Sequence, residues 1–433
     1  LATKKKKSIE KNNKVMYVGI ALFVIGSVYL GNILYSSTLQ NTRFEEGVKI
    51  ADVQVGGKTQ EEADAILSEK IKDYEKEKLK FIGGGHKYML SPVEIGVTFD
   101  VGKTVKNALK ESSAGENTSF SFVVSLNKEK LSSKLKIIEK GVDVKPKNAS
   151  LGMSGGKVVV LSPSVTGRKV IKEQLDLKVE TALEKLTSDI DIPIKKVTAG
   201  VNEKNYNNLG LKERISRGQT NFSGSPDNRR HNVATGASKF DGVLIKPGEN
   251  FSFNTALGPV EKSTGYLPEL VILEDKTVPQ YGGGLCQVSS TAFRAALNAG
   301  LPILYRVAHA YPVMYYKPYG VDATVYLPNP DLIFKNDTKG YILVQTYIYG
   351  NELYFDFYGT KKNINVKFAG NKEGTLGAST YVEGITPGIS EKGKRGKDSF
   401  TAVFYRFIYD KKGKLLTEDH WVSKYDSPKK YPH

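Results

Sequence analysis

The sequence predicts an α+β multidomain chain: an N-terminal transmembrane helix, two tandem α+β modules, a larger α+β domain and a small C-terminal β appendage. Three observations predict it. A 21-residue run without charge, Val15–Tyr35, follows a lysine cluster. The motif LSPxxxG occurs twice, at Leu90–Gly96 and Leu161–Gly167, an offset of 71. From Gly218 onward, glycine, aromatics and asparagine become more frequent while lysine thins out. The chain has 433 residues, 39% of them hydrophobic and 25% charged, enough for several buried cores.

Residues 1–14 form a basic tail in which Lys4, Lys5, Lys6, Lys7, Lys11 and Lys14 against Glu10 leave +5. The run at 15–35 is long enough, at about 1.5 Å per residue, to cross a hydrocarbon core of about 30 Å. Lysines before it place the N-terminus in the cytoplasm, so the chain is expected at the cell membrane as a single-pass protein with its bulk outside, at the cell wall. A cleaved signal peptide is the rival reading. Gly31–Tyr35 holds no small-x-small site, and the apolar run is longer than a usual signal core. Residues 36–47 are a polar linker.

The formal net charge is +17, from 63 Lys+Arg against 46 Asp+Glu. Five of those units flank the expected anchor, and the remaining +12 faces anionic cell-envelope polymers or simply solvates the surface. That distribution argues against nucleic acid as a partner. One cysteine rules out an intramolecular disulfide and a cysteine zinc cluster, and five histidines make a His-rich metal site a poor expectation. Neither GxxxxGK[ST] nor a strand–GxGxxG–helix unit occurs, so no nucleotide cofactor is expected.

The modules are expected at 48–127 and 128–205. In each, a glycine turn (Gly83–Gly85, Gly155–Gly156) precedes a β-rich run (His86–Leu90, Lys157–Leu161), the LSPxxxG motif and an amphipathic helix near Val105–Leu109 or Leu175–Leu186. Further helices are expected at Gln60–Lys72 and Lys128–Lys140. Next comes a domain at 206–364. Tyr206–Arg217 reads as a connector with a helix start near Leu209. Asp227–Lys239 reads as a helix with Asp227 as cap, Val243–Ile245 as a strand and Gln287–Ala299 as a helix stopped by Gly300 and Pro302. Strands follow at Ala323–Leu327, Tyr341–Tyr349 and Glu352–Tyr358, the last two joined at Gly350–Asn351. The appendage, 365–433, carries a hairpin of Ser399–Tyr409 and Leu415–Trp421.

Chemistry has one clear seat, Tyr281–Ser290 (YGGGLCQVSS). Three glycines lead into Cys286 at the first turn of a helix, where partial positive charge and free N–H groups favour a thiolate and an oxyanion. A small buried cysteine packing that helix fits the same position. A thiol nucleophile needs a base. His309, 23 residues on and after a return strand, is the candidate. His231, beside Arg229 and Arg230, reads as structural or substrate-facing, and Cys286, His309 and His231 match no metal-ligand spacing. Asp322 is the candidate orienting acceptor for His309, with turn capping as the competing role. Gly283, Gly284, Leu285, Gln287, Ser289 and Tyr316 are the candidate substrate contacts, although most of the tyrosines after the helix suit packing equally well.

These residues resemble a known family. GGGLCQVSSTAFRAALNAGLPI (282–303), followed by His309, VDATV (321–325) and NPDLIFKN (329–336), is similar to the VanW domain, as is IKPGENFSFNTALGP (245–259) before it. The likeness covers about 218–360. The modules before it resemble the peptidoglycan-binding repeats that accompany VanW domains, and 365–433 resembles their glycine-centred β extension. The resemblance implies a cell-envelope protein whose partners are peptidoglycan stem peptides. In the form implicated for some members it also implies an L,D-transpeptidase, which forms 3-3 cross-links through a cysteine acyl-enzyme, here Cys286. The SHGC-type motif of the better-known L,D-transpeptidases is absent, so this activity would sit on a different scaffold. A non-catalytic peptidoglycan-binding scaffold and an L,D-carboxypeptidase using the same cysteine are the alternatives.

Overall fold

Four helices of the first half begin at side chains that bind free first-turn N–H groups. Thr59, Ser91 and Asp100 each accept one and Asn127 accepts two, heading the helices Gln60–Tyr74, Pro92–Ile95, Val101–Ser112 and Lys128–Val142. These elements come from a computed structural model, which describes residues 42–113, 115, 118–273, 276–317, 319–369, 379–380, 390–392 and 399–427. The expected tail, anchor and first part of the linker lie outside the described residues. Among the described residues no helix is long and apolar enough to cross a membrane.

The described chain divides into two units, each treated by itself. The first takes the residues up to Lys147 and Thr166–Thr198; the second takes Asn148–Val165 and everything from Ala199. In the first unit, strand Leu79–Gly83 pairs antiparallel with His86–Leu90 and parallel with Asp189–Asp191. A strand from the far end of the expected second module thus completes a sheet begun in the first. Leu79, Phe81 and Ile95 share one core with Leu131, Leu135, Ile138, Leu175, Val179 and Ile190.

The repeated LSPxxxG takes two different forms. In the first copy Ser91 and Glu94 form a reciprocal capping box, Pro92 opens a short helix and Gly96 ends it with left-handed φ. In the second copy Val165 stands where Glu94 stood. No reciprocal cap forms there, and the chain runs from strand Lys157–Ser162 into strand Gly167–Val170 without a helix. The hairpin of Ser150–Ser154 and Lys157–Ser162 folds with the second unit, where Leu151 is buried with Leu209, Leu211 and Leu343.

The second unit is built on a four-stranded sheet in the order Glu213–Asn221, Glu352–Gly359, Ile342–Tyr349 and Leu244–Ile245. The hairpin at Gly350–Asn351 forms as expected, with Tyr349 opposite Glu352. The expected connector does not hold. Tyr206–Asn208 is a single 3-10 turn, and Glu213–Asn221 is a strand. Its inner face presents Ser216, Gly218 and Thr220 to the helix Leu285–Asn298. Ser216 Oγ donates to Ala295 O (2.9 Å), Thr220 Oγ1 lies 2.6 Å from Thr291 Oγ1, and a Cβ at Gly218 would come within 2.0 Å of Thr291 O. Small and polar inward residues hid the strand from a hydrophobic pattern.

Nor is the C-terminal segment detached. Strands Ile364–Ala369, Phe400–Asp410 and Leu415–Tyr425 pair in one sheet, and Phe368 and Phe404 share one core with Phe293 of the helix. Trp421 stacks on Phe404 at 4.8 Å and meets Phe293 edge-on at 6.3 Å. Arg406, 2% exposed, donates to the carbonyls of Leu297 and Leu301 at the helix C-terminus and pairs with Asp419.

Candidate active site

The helix Leu285–Asn298 starts at Gly284, whose φ of 113° only glycine adopts without strain. Cβ atoms are also excluded at Gly282 and Gly283, where they would meet Val260 Cγ1 at 2.4 Å and Glu269 Cβ at 2.7 Å. Cys286 therefore sits in the first turn, partly buried, with Sγ 3.6 Å from Val325 O. The N–H of Leu285 donates to Gly282 O and that of Gln287 to Gly284 O. Among the described residues the Cys286 N–H has no acceptor.

The thiol and His309 act on each other's ionisation. On the other side of the ring, Nδ1 lies 2.5 Å from Asp322 Oδ2, so Nε2 is the nitrogen left for sulfur. Asp322, 2% exposed, also takes the His309 backbone N–H on Oδ2 (2.8 Å). Its Oδ1 accepts from Arg306 (3.0 Å) and from the Tyr425 hydroxyl (2.5 Å). His309 thus interacts with Cys286 on one side and is hydrogen-bonded to Asp322 on the other.

Helix side chains hold the segment that carries Asp322. Ser289 Oγ donates to Ala323 O (2.6 Å), Ser290 Oγ accepts from Ala323 N (3.0 Å), and Thr324 N donates to Val307 O. Those bonds replace a strand ladder, which is why the strand expected at Ala323–Leu327 is absent. Arg294 fixes the preceding loop through the carbonyls of Tyr316, Lys317 and Val321.

Burial pushes the Cys286 thiol up, but the hydrogen bond and charge of His309, with the charge of Arg229, outweigh it and set the thiol below its ordinary value. Burial would likewise lower His309; its bonds to Asp322 and Cys286 raise it to about 9. Burial raises the Asp322 carboxyl, yet His309, Arg306 and Tyr425 hold it well below the usual carboxylate range. Both shifts bias the pair towards thiolate and imidazolium, backed by a carboxylate.

The remaining expected residues divide by where their side chains go. Leu285 is buried in the core, and Tyr316 is buried against His309 with ring centroids 4.8 Å apart. Gln287 and Ser289 are fully buried and bonded internally, Gln287 to Arg229 and to Asn221 O. Asp227 is not the cap of its helix: Pro226 precedes it, and Asp227 is the first helical residue. His231 is exposed, with Nε2 2.8 Å from Gly265 O. The sequence reading missed Arg306, Tyr425, Arg229 and Arg294. Tyr425 lies 103 residues from Asp322, and no local pattern could have joined them.

Two families and two curated proteins are similar to this chain. The family described as "VanW like protein" matches residues 228–358, and "Putative peptidoglycan binding domain" matches 88–191. Over 233 residues the chain is 30% identical to "Uncharacterized protein YoaR" of Bacillus subtilis (strain 168), spanning 54% of this chain and 75% of that protein. The chain belongs to the VanW family. Over 117 residues it is also 35% identical to "Vancomycin B-type resistance protein VanW" of Enterococcus faecalis (strain ATCC 700802 / V583), spanning 26% of this chain and 42% of that protein. No solved structure matches. The VanW match contains Cys286, His309 and Asp322 but stops before Tyr425. Together the two family matches point to a cell-wall-associated protein.

Proposed function

We propose that this VanW-family protein is a cysteine-dependent L,D-transpeptidase of the cell wall, held at the membrane by residues 15–35. The observation that carries the reading is the line Cys286–His309–Asp322 at the start of a glycine-led helix. In the first step the Cys286 thiolate attacks the carbonyl carbon of the third stem residue. The Cys286 N–H at the helix start stabilises the oxyanion. As the C–N bond breaks, the His309 imidazolium gives its proton to the departing amine of the terminal residue, leaving a thioester. An amine from a second stem then attacks the thioester carbon and loses its proton to His309. The C–S bond breaks and the thiolate is restored. Water in place of that amine gives a carboxypeptidase.

Incubating the full-length protein with disaccharide-tetrapeptide and following products by mass spectrometry tests this. Dimers joined by a 3-3 bond are expected from the wild type and none from Cys286→Ala. Unchanged products from Cys286→Ala would remove the mechanism. An inert, inaccessible thiol with retained stem-peptide binding would instead favour a scaffold.

A further inference from the structure

Three arginines of the second unit that are partly or largely withdrawn from water have a carboxylate partner. Arg217 pairs with Asp356, Arg306 with Asp322 and Arg406 with Asp419. Arg229 differs. It is 9% exposed, and its acceptors are all neutral: Ser225 Oγ (2.6 Å), Gln287 Oε1 (3.0 Å) and Tyr316 OH (3.4 Å). Its guanidinium lies 4.1 Å over the ring of Tyr315. Among the described residues no carboxylate pairs with it.

Position makes that charge pointed. Arg229 lies against the residue that opens the nucleophile's helix, since a Cβ at Gly284 would come within 3.0 Å of Arg229 Cγ and 3.2 Å of its carbonyl oxygen. Tyr316, which accepts from Arg229, is the same ring that lies against His309. A cation buried among neutral groups is costly unless an anion completes it. Before reaction the thiolate offers part of that counter-charge, and Arg229 acts on the Cys286 thiol. A planar guanidinium matches a carboxylate in two-point geometry.

We propose that Arg229 recognises a carboxylate on the acyl donor, namely the terminal carboxylate of the residue that Cys286 expels. This rests on the transfer reading above. The expelled residue is an α-amino acid, so its carboxylate stands one carbon from the scissile nitrogen, within reach of a cation beside the nucleophile. The site then selects donors that end in a free carboxylate and rejects internal peptide bonds of the same sequence.

The test compares disaccharide-tetrapeptide with its C-terminal carboxamide on the full-length protein. The wild type is expected to favour the free acid by about 30-fold or more in kcat/KM, mostly through KM, as for loss of a charged hydrogen-bonded pair. In Arg229→Gln that preference collapses to within about threefold, and Arg229→Lys keeps an intermediate preference. Two results overturn the proposal: equal use of both donors by the wild type, or an Arg229→Gln fall in iodoacetamide alkylation of Cys286 as large as its fall in turnover. The second would make the guanidinium a counter-ion of the thiolate only. Calorimetry on Cys286→Ala separates this from the transfer reading. If neither donor is processed but Cys286→Ala binds the acid about tenfold tighter than the amide, and Arg229→Gln abolishes that difference, transfer fails and recognition stands. Equal binding of acid and amide removes the proposal.

Discussion

Asp322 accepts four hydrogen bonds, two on each oxygen: the His309 ring and backbone on Oδ2, Arg306 and Tyr425 on Oδ1. All its lone-pair sites are filled, so the carboxylate is fixed in place as well as in charge. That arrangement sets a pH window. With the thiol lowered, Cys286 alkylation is expected to fall less steeply from pH 8 to 7 than that of a free thiol, which slows about tenfold. His309, raised to about 9, is protonated below that pH and loses its proton above it. Transfer, which needs that proton for the leaving amine, is expected to fall on an alkaline limb near about 9. A kcat/KM profile flat to well above pH 10 would exclude His309 as the acid. At this scale the sequence was readable where chemistry is local: a thiol after three glycines marks a helix start. Roles that depend on the burial of Gln287 and Ser289 were not readable, because a polar letter does not say which way its side chain turns.

Among elements, the hidden contributor is the final described strand. Leu415–Tyr425 brings Trp421 onto Phe293 and Phe404, Ser423 to Arg306 (2.8 Å), and Tyr425 to Asp322. Tyr425→Phe removes one donor to a buried carboxylate, about 1.5–3 kcal/mol, while keeping the ring. Turnover is expected to drop tenfold or more with Trp421 fluorescence showing a native fold. Unchanged turnover would reduce that strand to a prop. Helices with a cap and an apolar stripe were legible to within a few residues, and so was the two-residue hairpin. Glu213–Asn221 was not, because its inner face is Ser216, Gly218 and Thr220, chosen for close approach to a helix rather than for hydrophobicity. The LSPxxxG repeat misled for a related reason. Identical letters gave a helix only where Glu94 completed the cap.

Over the whole molecule, chain order and spatial order diverge. Residues 148–165 sit within the stretch expected as a second module, yet fold with the unit that carries Cys286. Leu151→Ala is therefore expected to weaken that unit by about 2–5 kcal/mol, a core truncation with 0% exposure at stake. Trp421, the chain's one tryptophan, provides the readout, as a lower denaturant midpoint. A midpoint unmoved by Leu151→Ala would place the hairpin outside the cooperative core. Only packing reveals such an assignment, since the hairpin's own alternation is satisfied by any apolar surface. The Tyr425–Asp322 bond carries a consequence in time. Synthesis delivers residue 286 first and residue 425 another 139 residues later. At about 5–20 residues per second that is roughly 7–30 s during which a nascent nucleophile exists without its completed charge support. The thiol thus gains its full charge support only once residue 425 has been made.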